Sequence, residues 1–217
     1  MNFDHPALRI LITGKSGSGK STLVRQIAQR SKARWKFAFD PRREFVRFCN
    51  WGFAQDRPSL IKAVGDRRPV SFDSSGLFPG DRAEGFIFFC RWVYTVGQTL
   101  PGTKLVIIDE LQNVQGVGTH GCPKVFLELL DEGRAHQFDV MTIAQRVNSV
   151  NDQVRAQITE CVSFLHTSGT QLDWLEKECD FDRAAVKALP KPGGYIWRNL
   201  DTDEERTNGR KAPAQQT

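Results

Sequence analysis

The chain has 217 residues, 40% hydrophobic and 25% charged, with a formal net charge of +5; these are ordinary values for one globular domain of a length common among sheet-centred folds. Its clearest apolar run, Phe86 to Cys90, is far too short to span a bilayer, and the N-terminal apolar stretch has no basic region before it and is interrupted by Arg9, so neither a membrane anchor nor a signal peptide is expected and the protein is assigned to the cytoplasm. The five cysteines, Cys49, Cys90, Cys122, Cys161 and Cys179, are odd in number and show no metal-ligand spacing, which predicts reduced structural thiols.

Along the chain, strand-like and helix-like runs alternate. "ALRILI" (7 to 12) reads as a strand, 20 to 31 as a helix, "RWKFAF" (34 to 39) and "RPVSFD" (68 to 73) as strands, and 81 to 98 as a helix. "KLVIID" (104 to 109) follows as a strand, 123 to 134 as a helix, and "FDVMTIA" (138 to 144) and "CVSFLH" (161 to 166) as strands. "TQLDWLEKEC" and "RAAVKALP" read as short helices, and "KPGGYIWRN" as a turn entering a closing strand. Continuously apolar strands between amphipathic helices predict an α/β fold whose central sheet is mainly parallel and covered on both faces. One domain is expected over residues 1–200. Residues 201–217 are polar and without periodicity and are expected to be disordered.

The tail from residue 201 holds four acids and three bases, so residues 1–200 carry +6. Between 25 and 47, Arg25, Arg30, Lys32, Arg34, Lys36, Arg42, Arg43 and Arg47 oppose only Asp40 and Glu44. Such a segment is either a polyanion surface or a solvated helix end.

Gly14, four residues, then Gly19-Lys20-Ser21 fits G-x-x-x-x-G-K-[ST] between an apolar strand and an amphipathic helix, where a phosphate-binding loop must lie. Gly14, Lys15, Ser16, Gly17, Ser18 and Gly19 would wrap backbone N–H groups around phosphates, with Lys20, Ser21 and Thr22 opening the helix. Lys20 would reach the β- and γ-phosphates of ATP, and Ser21 would hold Mg²⁺. "KLVIIDE" ends a strand on two carboxylates, Asp109 suited to the Mg²⁺ shell and Glu110 to a general base for water. Gln145 ends another strand, in position to sense the γ-phosphate or the attacking water. Arg134, between a helix and a strand start, would lie at the sheet edge away from its own phosphates and could serve a neighbour as an arginine finger. "SFDSSG" mimics a GTPase switch, but no N-K-x-D guanine reader follows.

Four blocks, "GKSGSGKST", "FAFDPRREF", "LVIIDE" and "GRAHQFDVMTIAQRVNSVNDQVRAQITECVSFLH", resemble the HerA/FtsK superfamily of ring-shaped DNA-pumping ATPases over residues 7 to 166. The "ALPKPGGYIWRN" ending is similar in style. The resemblance implies a P-loop NTPase fold of the RecA-like type. In it Lys20, Ser21, Asp109 and Glu110 match the Walker positions, Gln145 the strand-end sensor and Arg134 the trans-acting arginine. Asp40 and Glu44 fall on the family's D-P-x-x-E block. The chain has no room for the additional domains of cellular translocases, and in this it is similar to the genome-packaging ATPases of tailless, membrane-containing icosahedral viruses. Double-stranded DNA, a homo-oligomeric ring, of six subunits by family resemblance, and a capsid-vertex or inner-membrane viral protein are the implied partners. A small P-loop nucleoside or nucleotide kinase, and an assembly factor that binds ATP without turnover, stand as alternatives.

Overall fold

A computed structural model describes residues 7–114 and 121–208, with residues 210 and 211 described in their backbone. The described strands are β1 (Arg9–Thr13), β2 (Trp35–Phe39), β3 (Gly52–Ala54), β4 (Val70–Phe72), β5 (Lys104–Ile108), β6 (Phe138–Ala144), β7 (Glu160–Phe164), β8 (Tyr195–Asn199), β9 (Glu205–Thr207) and β10 (Arg210–Lys211). They form one sheet in the order β10-β9-β8-β7-β1-β6-β5-β2-β4-β3. From β7 to β3 all neighbours are parallel, and β8, β9 and β10 add antiparallel strands at one end.

Strand alternation decides which helices cover which face. Ile10, Ile12, Leu105, Ile107, Met141 and Ile143 point to the side packed by α1 (Lys20–Arg30) and α2 (Glu44–Cys49), through Leu23, Val24, Ala28 and Phe45. Leu11, Phe37, Phe39, Phe72, Val106, Ile108 and Val140 point to the other face. There α3 (Arg57–Gly65), α4 (Arg82–Thr99) and α5 (Lys124–Asp131) contribute Leu60, Phe86, Phe89, Phe126 and Leu129. Rings of Phe39, Phe72, Phe86 and Phe89 lie 5.5–6.4 Å apart at their centroids, so aromatic edges and faces fill the centre of this layer. On the same side, α6 (Gly133–His136) and α7 (Asp152–Arg155) flank β6 in sequence, and α8 (Gly169–Cys179) and α9 (Arg183–Ala188) precede β8. The four cysteines Cys90, Cys122, Cys161 and Cys179 are buried, Cys49 is half-buried, and all five are free thiols.

The class and the parallel sheet agree with the sequence, and three differences are physical. No element is expected between 40 and 67, yet α2, β3 and α3 occupy that stretch. A start signal is present there, since Asp56 and Ser59 close a capping box around α3 with Pro58 in the first turn. The helix expected over 123–134 breaks at Glu132, and α6 carries Arg134 instead. The tail expected to be disordered extends the sheet through β9 and β10. An edge strand needs only backbone pairing and not an apolar face, and the side-chain oxygen of Asn199 accepts the N–H groups of Asp201 and Thr202 at 2.9 Å each to set the turn. Residues 212–217 lie outside the described residues.

Asp40, fully buried at the end of β2, fixes how the chain leaves the sheet. Its carboxylate accepts the N–H groups of Glu44 (3.0 Å) and Phe45 (2.9 Å) at the start of α2 and the hydroxyl of Ser71 (2.8 Å) on β4. Asp40→Ala strands three donors, two of them buried, and is expected to cost about 2–4 kcal/mol, read as a lowered midpoint of urea unfolding with an unchanged slope.

Candidate ATP cleft

The parallel strands end together, and the loops leaving β1, β2, β5 and β6 enclose a cleft of about 430 Å³, the usual ligand position at the carboxyl edge of such a sheet. β6 lies between β1 and β5, with Ala144 paired to Thr13 and Thr142 to Ile108. Residues leaving these three strands are therefore neighbours. Ser16, Gly17, Gly19, Lys20, Ser21 and Thr22 form one wall, and Asp109, Glu110 and Gln145 form another.

Three loop glycines have positive φ: Gly14 at 149°, Gly17 at 71° and Gly19 at 110°. Gly14 is also sterically excluded from bearing a side chain, because a Cβ there would lie 2.5 Å from Cβ of Phe164. The loop is held from outside by the Lys15 N–H donating to Leu165 O (3.1 Å) and the Gly193 N–H donating to Ser18 O (2.9 Å). Lys15 points away from the cleft and donates to Thr167 Oγ1 at 2.9 Å, and Ser18 is buried behind the loop. Below the loop, Thr13 Oγ1 and His166 Nε2 are 3.2 Å apart, and burial pushes His166 down to about 4, so it is neutral at pH 7.

Lys20 Nζ donates to Gly14 O (2.5 Å) and Lys15 O (2.9 Å), bridging the loop across its own mouth. Burial pushes its ammonium down to about 8. Asp109 shows the opposite perturbation: burial, then the charge of Glu110, raises its carboxyl to about 7. A buried oxygen donor so short of positive charge, with the Ser21 hydroxyl in the same cleft, fits a hard cation. Among the described residues no group of three or more His, Cys, Asp or Glu forms a metal cage.

Glu110 has left-handed backbone, φ 55°, and a buried carboxylate. It forms ion pairs with Arg42 and with Arg82 (3.3 Å) and accepts a hydrogen bond from Asn113 Nδ2 at 3.3 Å. Glu44 also lines the cleft and pairs with Arg25 at 2.9 Å. Gln145 is half-buried in the cleft wall, its N–H donating to Gln112 Oε1 at 3.4 Å. Arg134 does not line it. It is exposed on α6 ahead of β6, at the opposite edge of the sheet, on the order of 20 Å away along a seven-residue strand.

The basic segment between 25 and 47 is not one surface. Arg25 and Arg42 face the cleft, Arg43 pairs with Asp73 at 2.8 Å, and Lys36 donates to Ala28 O at 2.8 Å. Arg30, Lys32, Arg34 and Arg47 are exposed. Sequence reasoning thus misplaced Arg42 and missed Phe48, Gln112 and Pro192 as cleft residues. Pro192 reaches the loop because β8 returns antiparallel beside β7, which no local pattern shows; the strand-end position of "DPRRE" was the available signal for Arg42.

The AAA domain family profile matches residues 4–147. The chain belongs to that family. Comparison with curated protein sequences gives no significant match for this AAA domain. Among solved structures, its fold is similar to the genome packaging NTPase B204 of Sulfolobus turreted icosahedral virus 2 in complex with ATP-gammaS, with TM-score 0.74 and 17% identity over 94% of this chain and 97% of that one. The DNA-packaging ATPase B204 of Sulfolobus turreted icosahedral virus gives 0.70 and 19% over 91% and 95%. VirB4 of Thermoanaerobacter pseudethanolicus gives 0.65 and 11% over 95% and 90%. The likeness is one of fold, a mainly parallel sheet flanked by helices, as the strand and helix pattern of the sequence predicted.

The loop geometry separates two glycines. Gly14→Ala brings both the clash with Phe164 and the positive φ, whereas at Gly17 the nearest atom to an added Cβ is Lys191 Cε at 3.7 Å and only the backbone strain remains. Titration with a fluorescent ATP analogue is expected to show a loss of affinity of about 5- to 30-fold for Gly17→Ala, from the roughly 1–2 kcal/mol cost of left-handed backbone, and a substantially larger loss for Gly14→Ala.

Proposed function

We propose that this protein hydrolyses ATP and couples the hydrolysis to movement of double-stranded DNA, as a genome-packaging motor. The observation that carries the hydrolysis is the convergence of Lys20, Asp109, Glu110 and Gln145 on one cleft, since binding alone requires neither a buried base nor a strand-end amide. Lys20 leaves the carbonyls of Gly14 and Lys15 for the β- and γ-phosphates. Gln145 and Glu110 position a water whose oxygen bonds to the γ-phosphorus as its proton passes to Glu110. The bond from the γ-phosphorus to the bridging oxygen breaks, ADP keeps the electron pair, and phosphate departs. Mg²⁺, held by Ser21 and Asp109, would neutralise charge on the β- and γ-oxygens.

Support for the DNA step comes from the likeness of fold over 97% of a genome packaging NTPase and from the +6 charge of residues 1–200. Exposed Arg30, Lys32 and Arg34 lie at the edge opposite the cleft, where phosphate-backbone contact would need no base readout. ATPase assays with and without duplex DNA test the reading. Stimulation by DNA is expected in the parent, with Glu110→Gln binding ATP normally and losing turnover by about 10²-fold or more. Phosphorylation of an added nucleoside would replace this reading with a kinase, and tight binding without turnover with an assembly factor.

We further infer a ring in which Arg134 serves the neighbouring cleft, a reading supported by its exposure at the far sheet edge. Arg134→Ala and Glu110→Gln subunits, each nearly inactive, are expected to recover partial ATPase activity when mixed, because some interfaces then join an intact Glu110 to an intact Arg134; an arginine finger contributes about 10³ to 10⁵ in turnover. Co-assembly without recovery would return Arg134 to a structural role on α6.

A further inference from the structure

The two arginines on Glu110 face different spaces. Arg42 arrives from the loop between β2 and α2 and lines the ATP cleft with Lys20 and Asp109. Arg82 arrives from the first turn of α4 and lines a second cavity together with Asn113. The Glu110 side chain is 9% exposed, against 50% for Arg42 and 55% for Arg82. The carboxylate is therefore the fixed partner and the arginines are the ones that can swing without opening the core.

Both carboxylate oxygens are occupied. Oε1 is taken by Arg42, and Oε2 by Arg82 and Asn113. A general base needs an oxygen lone pair aimed at the water it deprotonates, and in this arrangement the guanidinium takes one of the two lone pairs of the cleft-side oxygen and weakens the other as a proton acceptor. The cleft meanwhile needs positive charge at the γ-phosphate. Lys20 supplies one such charge. Arg25, the other arginine in the wall, is engaged by Glu44 and Thr22.

We propose that Arg42 is a further catalytic residue, which covers Oε1 of Glu110 in the nucleotide-free chain and transfers to the γ-phosphate when ATP enters. The transfer uncovers Oε1 for the attacking water, while Arg82 and Asn113 keep Oε2 and so hold the base in place; Arg82 acts through Glu110 and is a positioning residue. ADP carries no γ-phosphate and leaves Arg42 on Glu110. The same residue thereby distinguishes triphosphate from diphosphate and closes the base once the phosphate has gone. The proposal rests on the hydrolysis reading above, since it needs Glu110 as the base.

Calorimetric titration of the full chain with ADP and with the β,γ-methylene analogue of ATP, alongside steady-state ATPase kinetics, tests it. In Arg42→Ala the preference for triphosphate over diphosphate is expected to fall by about 10-fold and kcat by about 10²-fold or more, with ADP affinity nearly unchanged. Arg42→Lys restores part of both, because it keeps the charge and loses the fork geometry. Arg82→Ala is expected to keep the triphosphate preference. A preference and kcat equal to the parent's in both Arg42 variants would overturn the proposal. Should Arg42→Ala fail to fold, Arg42→Lys and Arg42→Gln decide the matter by the same ratio. A parent that binds the analogue but never turns ATP over would sink the hydrolysis reading, and the binding ratio would still show whether Arg42 meets the γ-phosphate.

Discussion

The arrangement of the whole cleft follows from the cost of gathering carboxylates where water is scarce. Asp40, Glu44, Asp109 and Glu110 all lie around the ends of β2 and β5, and their mutual repulsion is visible in Asp109, whose carboxyl is pushed up to about 7 first by burial and then by the charges of Glu110 and Glu44. Each of the others has found a different remedy. Asp40 satisfies itself on two backbone N–H groups and a serine hydroxyl, Glu44 on Arg25, and Glu110 on Arg42, Arg82 and Asn113. Among the described residues, Asp109 receives only the N–H of Glu110, at 3.0 Å, on its carboxylate. The unmet demand for positive charge therefore sits at a carboxylate that lines the same cleft as Ser21, where a bound cation would remove most of the strain of burial.

That charge balance depends on the order of the strands. Because β6 separates β1 from β5, the phosphate loop and the acidic pair are held one strand apart, with room between them for the amide that ends β6. The loop itself is braced from the antiparallel end of the sheet, where Leu165 accepts from Lys15 and Gly193 donates to Ser18. Lys20 completes the empty loop by donating to its carbonyls, which keeps an ammonium lowered to about 8 by burial from lying unpartnered. In the proposed hydrolysis ATP would exchange those carbonyls for phosphate oxygens, and the loop would need no rebuilding on binding.

Much of this was legible in the amino-acid sequence, because the strands that carry the site are short and apolar and the candidate site residues follow them within one loop. From pattern alone Lys20 and Ser21 could be placed at the opening of the first long helix and Asp109, Glu110 and Gln145 at strand ends, and all five lie in one cleft. What pattern could not supply was pairing across the fold. The arginines between 25 and 47 read as a single basic surface, but Arg42 is 68 residues from the carboxylate it holds, and Arg43 is 30 residues from Asp73. Charge counted along a segment says nothing of partners brought in by β4 and β5. The β9–β10 extension escaped for a related reason: its stabilisation lies in backbone pairing and the Asn199 turn, neither of which leaves an apolar period.

The second cavity gives the positioning of Glu110 a further meaning. Arg82 begins α4, the 18-residue helix whose Phe86 and Phe89 pack on Phe39 of β2, and Phe39 lies directly before the Asp40-Pro41-Arg42 turn. The two arginines that meet on Glu110 thus come from elements locked together by buried aromatic packing. Rigid motion of α4 against β2 is resisted by that packing, so the adjustable parts are the half-exposed guanidinium arms and not the elements that carry them. A site of this kind changes state through short side-chain movements between fixed anions, and the core beneath it can stay close-packed throughout.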